Sequence, residues 1–392
     1  MSKKVCIGLS GGVDSSVAAY LLKEQGYDVF ALFMINWKET TGSLTAECAW
    51  EDDVIFAEMT AKKLDIPFHV VDLSDYYRTR VVDYMFSEYQ KGRTPNPDVL
   101  CNREIKFDIF MQKALELGAD FVATGHYCRR EVTDVDGVQT YRLLEGLDPN
   151  KDQSYFLCQL NQYQLSKSLF PIGHLLKPAV REIAWEQGLV TAERKDSQGI
   201  CFVGKVDLPV FLQQKLEPKK GNVILIPADF SARKKLVKSR DNLPKLTAPF
   251  PFKPWQGSVI GAHNGAHYYT IGQRKGLNIG GFTEPLFVLA TDVVRNIVYV
   301  GEGKEHPGLY RPGLFISKGE IHWIRPDRAL NQGEEFSFLV RIRYRQPLER
   351  ATMIMEEDGA YILFDQEQRG VTSGQFAAWY DGEELIGSGV IA

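Results

Sequence analysis

The sequence has few of the residues that build disulfide scaffolds and zinc sites. Six cysteines and seven histidines are spread over 392 residues, with no Cys-X-X-Cys pair and no cluster with zinc-ligand spacing. No apolar run approaches the ~20 residues that a membrane-spanning helix needs. The first residues, MSKKVCIGLSGG, lack the apolar stretch of a secretory leader. We therefore expect a soluble, cytoplasmic protein with no membrane partner and no zinc site.

An overall excess of basic charge is also absent. The chain carries 46 Lys and Arg against 50 Asp and Glu, a net charge of −4, which argues against bulk binding of nucleic acid. The basic charge is local instead. Residues 215–253 hold ten Lys or Arg against three acids, and residues 341–350 hold four arginines and one glutamate. Basic character therefore belongs to the second half of the chain.

The chain has two regions with different sequence patterns. Near-continuous apolar runs alternate with helical periodicity over about 130 residues, which predicts an α/β fold with a doubly wound, mostly parallel sheet. Residues 151–200, including QYQLSKSLFPIG, have helical spacing, and strand patterns with Gly/Asp turns follow residue 283, one of them a hairpin turning at Asp358-Gly359. We predict a nucleotide-binding domain (1–206), a small central domain (207–282) and a C-terminal β-barrel (283–392).

The string SGGVDSS stands between the first predicted strand and its helix. Gly11 and Gly12 permit a tight turn, and the amide groups of a helix N-terminus favour phosphate. Asp14 is a candidate for capping the helix or for holding Mg²⁺. The lysine of the Walker loop is missing. A plain strand-to-helix turn remains the alternative interpretation.

Two cysteines lie in distinctive loops. Cys101 follows Pro95, Pro97 and Asp98 in TPNPDVLCNREIKF, where we expect a stiff loop and a helix beginning near Asn102, a placement that lowers the pKa of a thiol. Cys201 lies in KDSQGICFVG. Two loop cysteines beside a phosphate loop indicate sulfur chemistry, although burial as structural cysteines is the alternative. Cys6, Cys48, Cys128 and Cys158 are predicted to be structural.

Strings along nearly the whole chain resemble the tRNA-specific 2-thiouridylase family, whose phosphate loop is of the PP-loop type in an adenine nucleotide alpha hydrolase-like domain. They are GLSGGVDSS, TPNPDVLCNREIKF, ATGHY, KDQSYFL, DSQGICF, YYTIGQRKGL, RYRQ and SGQFAAWYDGE. The resemblance implies thiolation of C2 of the wobble uridine at position 34 in tRNAs for Lys, Glu and Gln. It also implies ATP with Mg²⁺, binding of the anticodon stem-loop, and a cysteine desulfurase or sulfur-relay protein as the sulfur donor.

The resemblance also implies roles for individual residues. Cys201 would carry a persulfide, Cys101 would release its sulfur and end in a disulfide with Cys201, and Asp98 would act as acid or base. The expected nucleotide-binding residues are Gly8, Leu9, Ser10, Gly11, Gly12, Val13, Asp14, Ser15, Met34 and Gly125. The expected tRNA contacts are Asn96, Pro97, Asp98, His126, Lys151, Asp152, Gln153, Arg343, Tyr344 and Gln375.

One stretch departs from the family pattern. Roughly thirty residues, about 226–257, separate a GNVI-like strand from a SVIGAH-like one. Their proline and lysine content fits a disordered insertion, and their positive charge fits an added tRNA- or partner-binding element. Two rival functions also remain open at this point: another ligase with the same phosphate loop, and a non-catalytic tRNA-binding module.

Overall fold

The computed structural model describes residues 2–38, 49–195, 208–230 and 237–392, so Cys48 and Cys201 lie outside the described ranges. The strands are β1 Lys4–Gly8, β2 Asp28–Ile35, β3 Phe68–Asp72, β4 Phe121–Ala123, β5 Cys128–Val135, β6 Val138–Glu145, β7 Ser168–Leu169, β8 Gly221–Leu225, β9 Ser258–His263, β10 Leu286–Asp292, β11 Ile297–Glu302, β12 Tyr310–Ser317, β13 Ile321–Trp323, β14 Glu335–Arg341, β15 Glu349–Met355, β16 Gly359–Arg369, β17 Phe376–Asp381 and β18 Glu384–Val390. Among the described residues, no helix is long and apolar enough to cross a membrane.

The helices lie mostly in the first half of the chain. They are α1 Val13–Glu24, α2 Ala49–Lys63, α3 Ser74–Tyr77, α4 Asp83–Gln90, α5 Pro97–Leu100, α6 Phe110–Glu116, α7 Gln162–Ser166, α8 Lys177–Glu186, α9 Leu208–Leu212 and α10 Leu243–Thr247. Two π-helical stretches, Arg78–Val82 and Cys101–Ile109, join α3 to α4 and α5 to α6. Short 3₁₀ turns occur at Ser154–Leu157, Arg240–Asn242, Pro254–Gln256, Ala266–Tyr268, Pro307–Leu309, Lys318–Glu320 and Pro326–Arg328.

The first sheet is parallel, with strand order β3-β2-β1-β4-β7, and this confirms the predicted α/β class. Its central strand β1 pairs with β2 on one side and β4 on the other. Val5 and Ile7 on one face of β1 and Cys6 on the other are fully buried, as expected for a sheet covered by helices. The carboxyl ends of β1, β2 and β4 therefore share one edge, where open α/β sheets bind ligands.

The segment QYQLSKSLFPIG was expected to be one helix, and that expectation is wrong in its second half. Helix α7 ends at Ser166, and Ser168–Leu169 form the edge strand β7, which pairs with Val122 and Ala123 of β4. The Ser168 hydroxyl donates to the Gln164 carbonyl at 2.6 Å, which closes the helix early. A two-residue strand is too short to give a periodicity that the sequence could reveal.

A second sheet has the order β10-β11-β8-β9, so the strands directly after residue 283 pair with the middle of the chain. Strand β11 runs parallel to β8, with Val298 opposite Val223. From the sequence, β10 and β11 are predicted to belong to the C-terminal barrel, because an apolar strand pattern does not show which strand it pairs with. That placement is wrong, and we propose that the boundary lies between Glu302 and Tyr310. The three-domain division itself stays a prediction.

The third sheet has the order β12-β16-β15-β14-β17-β18-β6-β5, with β13 also pairing to β18. It curls back on itself, because the Ala392 amide donates to the Phe315 carbonyl of β12 at 3.0 Å. The β15–β16 hairpin turns before Gly359, as predicted. The hairpin β5–β6 comes from the first half of the chain and extends this sheet, so the nucleotide-binding and barrel regions share hydrogen bonds.

The described residues of the 226–257 stretch are folded, so its interpretation as a disordered insertion is wrong for them. Leu243 and Leu246 of α10 pack on Tyr361 and other side chains of the barrel. Phe252 packs beside Ile226 in the middle sheet's core. Its role in binding tRNA or a partner stays a prediction.

Candidate functional site

The SGGVDSS loop crosses the carboxyl edge of the first sheet. The Ser10 amide donates to the Ser15 hydroxyl at 3.1 Å, which ties the loop to the first turn of α1. Gly11 has φ +74°, and a Cβ atom there would lie 2.3 Å from the Asp53 carbonyl oxygen. Gly12 occupies the N-cap position without a side-chain cap. The loop therefore presents the first amides of α1 to the edge, as an anion-binding turn requires.

Asp14 does not cap α1, because Gly12 occupies the N-cap position. Its carboxylate accepts from the Lys177 ammonium at 2.7 and 2.9 Å and from the Tyr127 hydroxyl at 2.7 Å. Lys177 is nearly buried and its amide donates to Asp148. The predicted cap is thus wrong, since the Asp14 carboxylate forms an ion pair that fixes α1 against α8, and its role towards Mg²⁺ stays a prediction. Sequence reasoning missed Lys177, for which no motif gave a signal.

A second missed residue is Arg194. Its guanidinium donates to the Gly11 carbonyl at 2.8 Å, pairs with Asp53 at 3.0 Å and lies over the Phe56 ring at 4.1 Å. Burial raises the pKa of Asp53, and Arg194 opposes that rise. Because the carbonyl and amide of a trans peptide point in opposite directions, the bond to Gly11 turns the Gly12 amide away from Arg194.

Met34 and Gly125 occupy the same edge as the loop. Met34 is buried near the end of β2, and a Cβ atom on Gly125 would lie 2.7 Å from the Ser15 amide nitrogen. Close approach of the β4 loop to α1 therefore depends on glycine at this position. Asn36 directly follows β2 and is 1% exposed, and its side-chain amide has no hydrogen-bond partner among the described residues. No cluster of three or more His, Cys, Asp or Glu side chains among the described residues has the arrangement of a metal site.

The loop before Cys101 is fixed by the C-terminal barrel. The Gln375 side chain donates to the carbonyls of Thr94 and Pro95 at 2.9 and 3.2 Å, and the Thr94 amide donates to Ser373. Asn96 is the N-cap of α5, because its side chain accepts from the amides of Asp98 and Val99. The helix therefore begins at Pro97 and not near Asn102. Sequence reasoning overlooked the Asn-Pro pair as an N-cap followed by proline at the first helical position.

Cys101 lies in the first turns of this helix and is completely buried. The helix packs on the phosphate loop farther along, since a Cβ atom on Gly8 would lie 3.3 Å from the Phe110 ring. Cys101 lies nine positions before Phe110, at the start of the π-helical stretch, so the thiol is farther along the helix axis from this contact. Cys6, Cys128 and Cys158 are also buried, as expected of structural cysteines, although burial does not distinguish them from Cys101. Burial raises the pKa of each of the three thiols, that of Cys158 to about 12.

Cys201 falls in residues 196–207, outside the described part of the chain, but both flanks are anchored. On one side, Arg194 binds the phosphate loop. On the other, the Phe211 ring of α9 stacks on Phe86 in the cluster of buried side chains that contains Cys101. Cys201 is seven residues from Arg194 and ten from Phe211, spans of at most about 25 and 36 Å for an extended chain. The pairing of Cys201 with Cys101 stays a prediction.

Several predicted tRNA contacts are engaged within the protein. His126 is 7% exposed, its ring bonds to the Thr124 hydroxyl at 2.7 Å, and burial holds its pKa well below the usual range. The Asp152 carboxylate accepts from two amides, from the Ser154 hydroxyl and from Arg341. The Gln153 side chain accepts from the Tyr127 amide, and Lys151 is partly exposed. Their contacts with RNA stay predictions.

Arg343 and Tyr344 also have partners in the barrel region. Arg343 donates to the carbonyls of Ile271 and Gly370 and to the Thr372 hydroxyl, at 2.6 to 3.0 Å. Burial lowers the pKa of Arg343. The Tyr344 ring lies 4.2 Å from that of Phe156. The structure thus gives Arg343 a structural role that the sequence did not reveal, and its predicted contact with tRNA remains untested.

Comparison with known proteins agrees with this arrangement. Three family models match consecutive stretches: a tRNA methyl transferase HUP domain over residues 3–205, a tRNA methyl transferase PRC-barrel domain over 246–302 and an aminomethyltransferase β-barrel domain over 315–391. The tRNA-specific 2-thiouridylase MnmA of Christiangramia forsetii is 59% identical over 398 aligned positions, and that of Flavobacterium johnsoniae is 57% identical over 394. Both alignments cover 100% of each chain.

Solved structures resemble the chain far less. A 4-thiouridine synthetase in complex with RNA and bound ATP is 16% identical with a TM-score of 0.32, over 54% of this chain and 50% of that one. The two full-length relatives, the HUP-domain match and the phosphate loop at the carboxyl edge of a parallel sheet agree on one conclusion. The chain belongs to the tRNA-specific 2-thiouridylase family.

Proposed function

We propose that this member of the family transfers sulfur to C2 of the wobble uridine, position 34, in tRNAs for Lys, Glu and Gln. The reaction would take place in the cytoplasm and consume ATP with Mg²⁺. The observation that carries the proposal is the phosphate loop at the carboxyl edge of the parallel sheet, in a chain that matches tRNA-specific 2-thiouridylases over its whole length. The described residues on either side of 196–207 support it, since Arg194 binds Gly11 and Phe211 stacks on Phe86.

The phosphate loop has the features that a nucleotide requires. Gly11 allows the chain to pass against Asp53, the amides that follow it face the sheet edge, and Gly125 leaves space beside Ser15. Met34 and Gly125 would flank the adenosine, and the amides of residues 11–15 would hold the phosphates. Bound ATP would supply the adenylate that makes the uracil O2 a leaving group. The protein's own part is orientation, because Arg194 and Lys177 fix the loop from behind.

The loop Asn96–Asp98 would receive the target base. A base must leave the anticodon stack to reach a site of this kind, at a cost of roughly a few kcal/mol. Gln375 and the proline residues hold the loop in one conformation, which reduces the ordering that binding requires. Asp98 is partly exposed at the start of the helix, where it would accept or donate a proton.

Sulfur transfer would use two cysteines. The Cys101 thiolate attacks the inner sulfur of a Cys201 persulfide, forming the Cys101–Cys201 disulfide and releasing the terminal sulfur as hydrosulfide. Hydrosulfide adds to C2, AMP leaves with O2, and the remaining proton is lost. Pyrophosphate has already left at the adenylation step. The terminal sulfur comes from a cysteine desulfurase or relay protein, and an external thiol reduces the disulfide before the next turnover. Because Cys101 is buried, base entry must open its surroundings.

The test is mass spectrometry of nucleosides from tRNA incubated with protein, ATP and a sulfur donor. We expect 2-thiouridine with the wild type and at least a hundredfold less with Cys101→Ser or Cys201→Ser, while ATP affinity is unchanged. Cys158→Ala is the matched control, since it removes another buried thiol from the same cluster. Thiolation by either serine variant at the wild-type rate would refute the two-cysteine mechanism. Absence of 2-thiouridine from the wild type, with tRNA-independent use of ATP, would favour another ligase with this loop.

A further inference from the structure

We propose that Thr270–Leu277, here called the basic loop, binds phosphates of the tRNA backbone beside the target uridine. The inference rests on the proposed function, because it names a further contact of the same substrate. Arg274 and Lys275 are its two cationic side chains, and both are exposed. The observations that support it are the rigidity of the loop, its location and the state of its charges.

The backbone of the basic loop is held in one conformation. The Gly272 amide donates to the Val288 carbonyl at 2.8 Å, and the Val288 amide donates back to Gln273 at 2.9 Å. The Gln273 side chain accepts from the Thr270 amide and donates to the Lys275 carbonyl. Gly272 and Gly276 have φ angles of +84° and +85°, a backbone conformation that residues with a side chain rarely adopt. An exposed loop with this many internal bonds is pre-organised, so binding costs it little ordering.

The basic loop begins beside the loop that would receive the base. The hydroxyls of Thr270 and Thr94 are 3.2 Å apart, and Thr94 directly precedes Pro95. Arg343 donates to the Ile271 carbonyl and fixes the same end of the basic loop to the barrel. Arg274 is four residues from Thr270, at most about 14 Å along the chain. A strand of RNA with its base at Asn96–Asp98 would therefore pass within reach of Arg274 and Lys275.

The charges of the basic loop are uncompensated. Neither Arg274 nor Lys275 forms an ion pair with any of the described residues, whereas Arg341 and Arg325 pair with carboxylates. The two side chains line a groove of about 440 Å³, which Leu277, Ile279 and Leu286 also line. In a chain of net charge −4, a cationic pair beside the base site attracts phosphate locally. The apolar part of the lining suits sugar and base faces.

The experiment compares the salt dependence of tRNA affinity for wild type, Arg274→Ala/Lys275→Ala and Lys62→Ala/Lys63→Ala. The control pair is also exposed and adjacent, but it lies at the end of α2 that leads into β3, at the opposite edge of the sheet. Each phosphate contact contributes roughly 0.7–0.9 to the slope of log K against log salt. Between 50 and 200 mM salt, the loop variant should therefore lose about tenfold less affinity than the wild type.

The control variant should keep the wild-type slope, and both variants should keep wild-type ATP affinity. An unchanged slope in the loop variant, with wild type that binds and thiolates tRNA, would overturn the inference and leave the proposed function standing. A wild type that neither binds nor thiolates tRNA would overturn both. An equal loss of slope in the control variant would also overturn the inference, since the effect would then reflect net charge alone.

Discussion

The phosphate side and the base side of the site use their residues in opposite ways. On the phosphate side, residues 8–15 and Gly125 act through backbone amides and the absence of side chains. On the base side, which comprises Asn96, residues 151–153, Arg343 and Gln375, most side chains are engaged by other parts of the protein. The phosphate side presents its backbone amides for a ligand, whereas the base-side residues hold one another and position a loop.

The difference shows what motif resemblance can and cannot supply. Residues on the phosphate side match the family pattern in position, and a glycine turn at a helix N-terminus fits the phosphate binding that we propose. Residues on the base side match the family motifs in position only. Asp152 and Arg343 have the chemistry of RNA contacts, yet their polar atoms are bound by Arg341, Ile271 and Gly370. The comparison predicts different consequences for substitutions on each side.

The largest effect is expected on the phosphate side from Gly11→Ala. Its Cβ would clash with the Asp53 carbonyl at 2.3 Å in a backbone with φ +74°, so the loop must move. We expect ATP-dependent activity to fall at least about a thousandfold, equivalent to roughly 4 kcal/mol. Steady-state kinetics with ATP as the varied substrate measures this.

Gly26→Ala is the matched control, since Gly26 has φ +81° but open space around it. It should cost roughly 1–2 kcal/mol of stability for the left-handed conformation and leave the kinetics unchanged. Equal kinetics for Gly11→Ala and wild type would remove the contrast between the two sides, because the loop would then tolerate a side chain where the structure leaves no room.

On the base side, the main expected effect is on stability. Arg341→Met leaves the nearly buried Asp152 carboxylate without its cation, which costs about 3–5 kcal/mol for a buried pair. Arg328→Met breaks the exposed pair with Asp381 and should cost under about 1 kcal/mol. Urea unfolding of both variants measures the difference. Equal losses would mean that the base-side network does not hold the framework, and that Asp152 is better assigned to RNA alone.

The sequence predicted the parts of the fold that have long periodic patterns. The four longer parallel strands, α1, α2 and the β15–β16 hairpin were found where apolar runs and turn residues placed them. The partners of β10 and β11 were not predictable, because antiparallel and parallel strands after residue 283 have the same apolar pattern. The folding of Leu243 and Leu246 onto the barrel was hidden by surrounding prolines and lysines.

The same limit applies to the site. Loop residues 8–15 were predictable from local spacing, because the chemistry is local. Lys177 and Arg194 were not, since each acts on the loop across more than 150 positions of the chain. Long-range ion pairs depend on tertiary packing, which a single sequence does not encode in any short pattern. The burial of Cys101 was only the alternative interpretation of its loop, for the same reason.

The smallest expected effect is on the pH dependence of stability, and it concerns His126. This residue follows Gly125 of the phosphate side in sequence, but it is buried like the base-side residues. Burial lowers the pKa of His126. As the pH falls through about 6.5, the unfolded state therefore binds a proton that the folded state does not bind. Stability is therefore complete above about pH 6.5 and falls as the pH decreases, by up to roughly 1.4 kcal/mol per pH unit for this one proton. His126→Gln should reduce the slope by that amount in urea unfolding between pH 5 and pH 8.

Four other histidines with lowered pKa values, His263, His267, His306 and His322, contribute with the same sign, so the measured quantity is the difference between variant and wild type. The exposed His174→Gln is the control and should leave the slope unchanged. A His126→Gln slope equal to that of the wild type would mean that His126 is already accessible to protons in the folded protein. It would then belong with the residues that face the ligand, and the boundary between the two sides would move past Gly125.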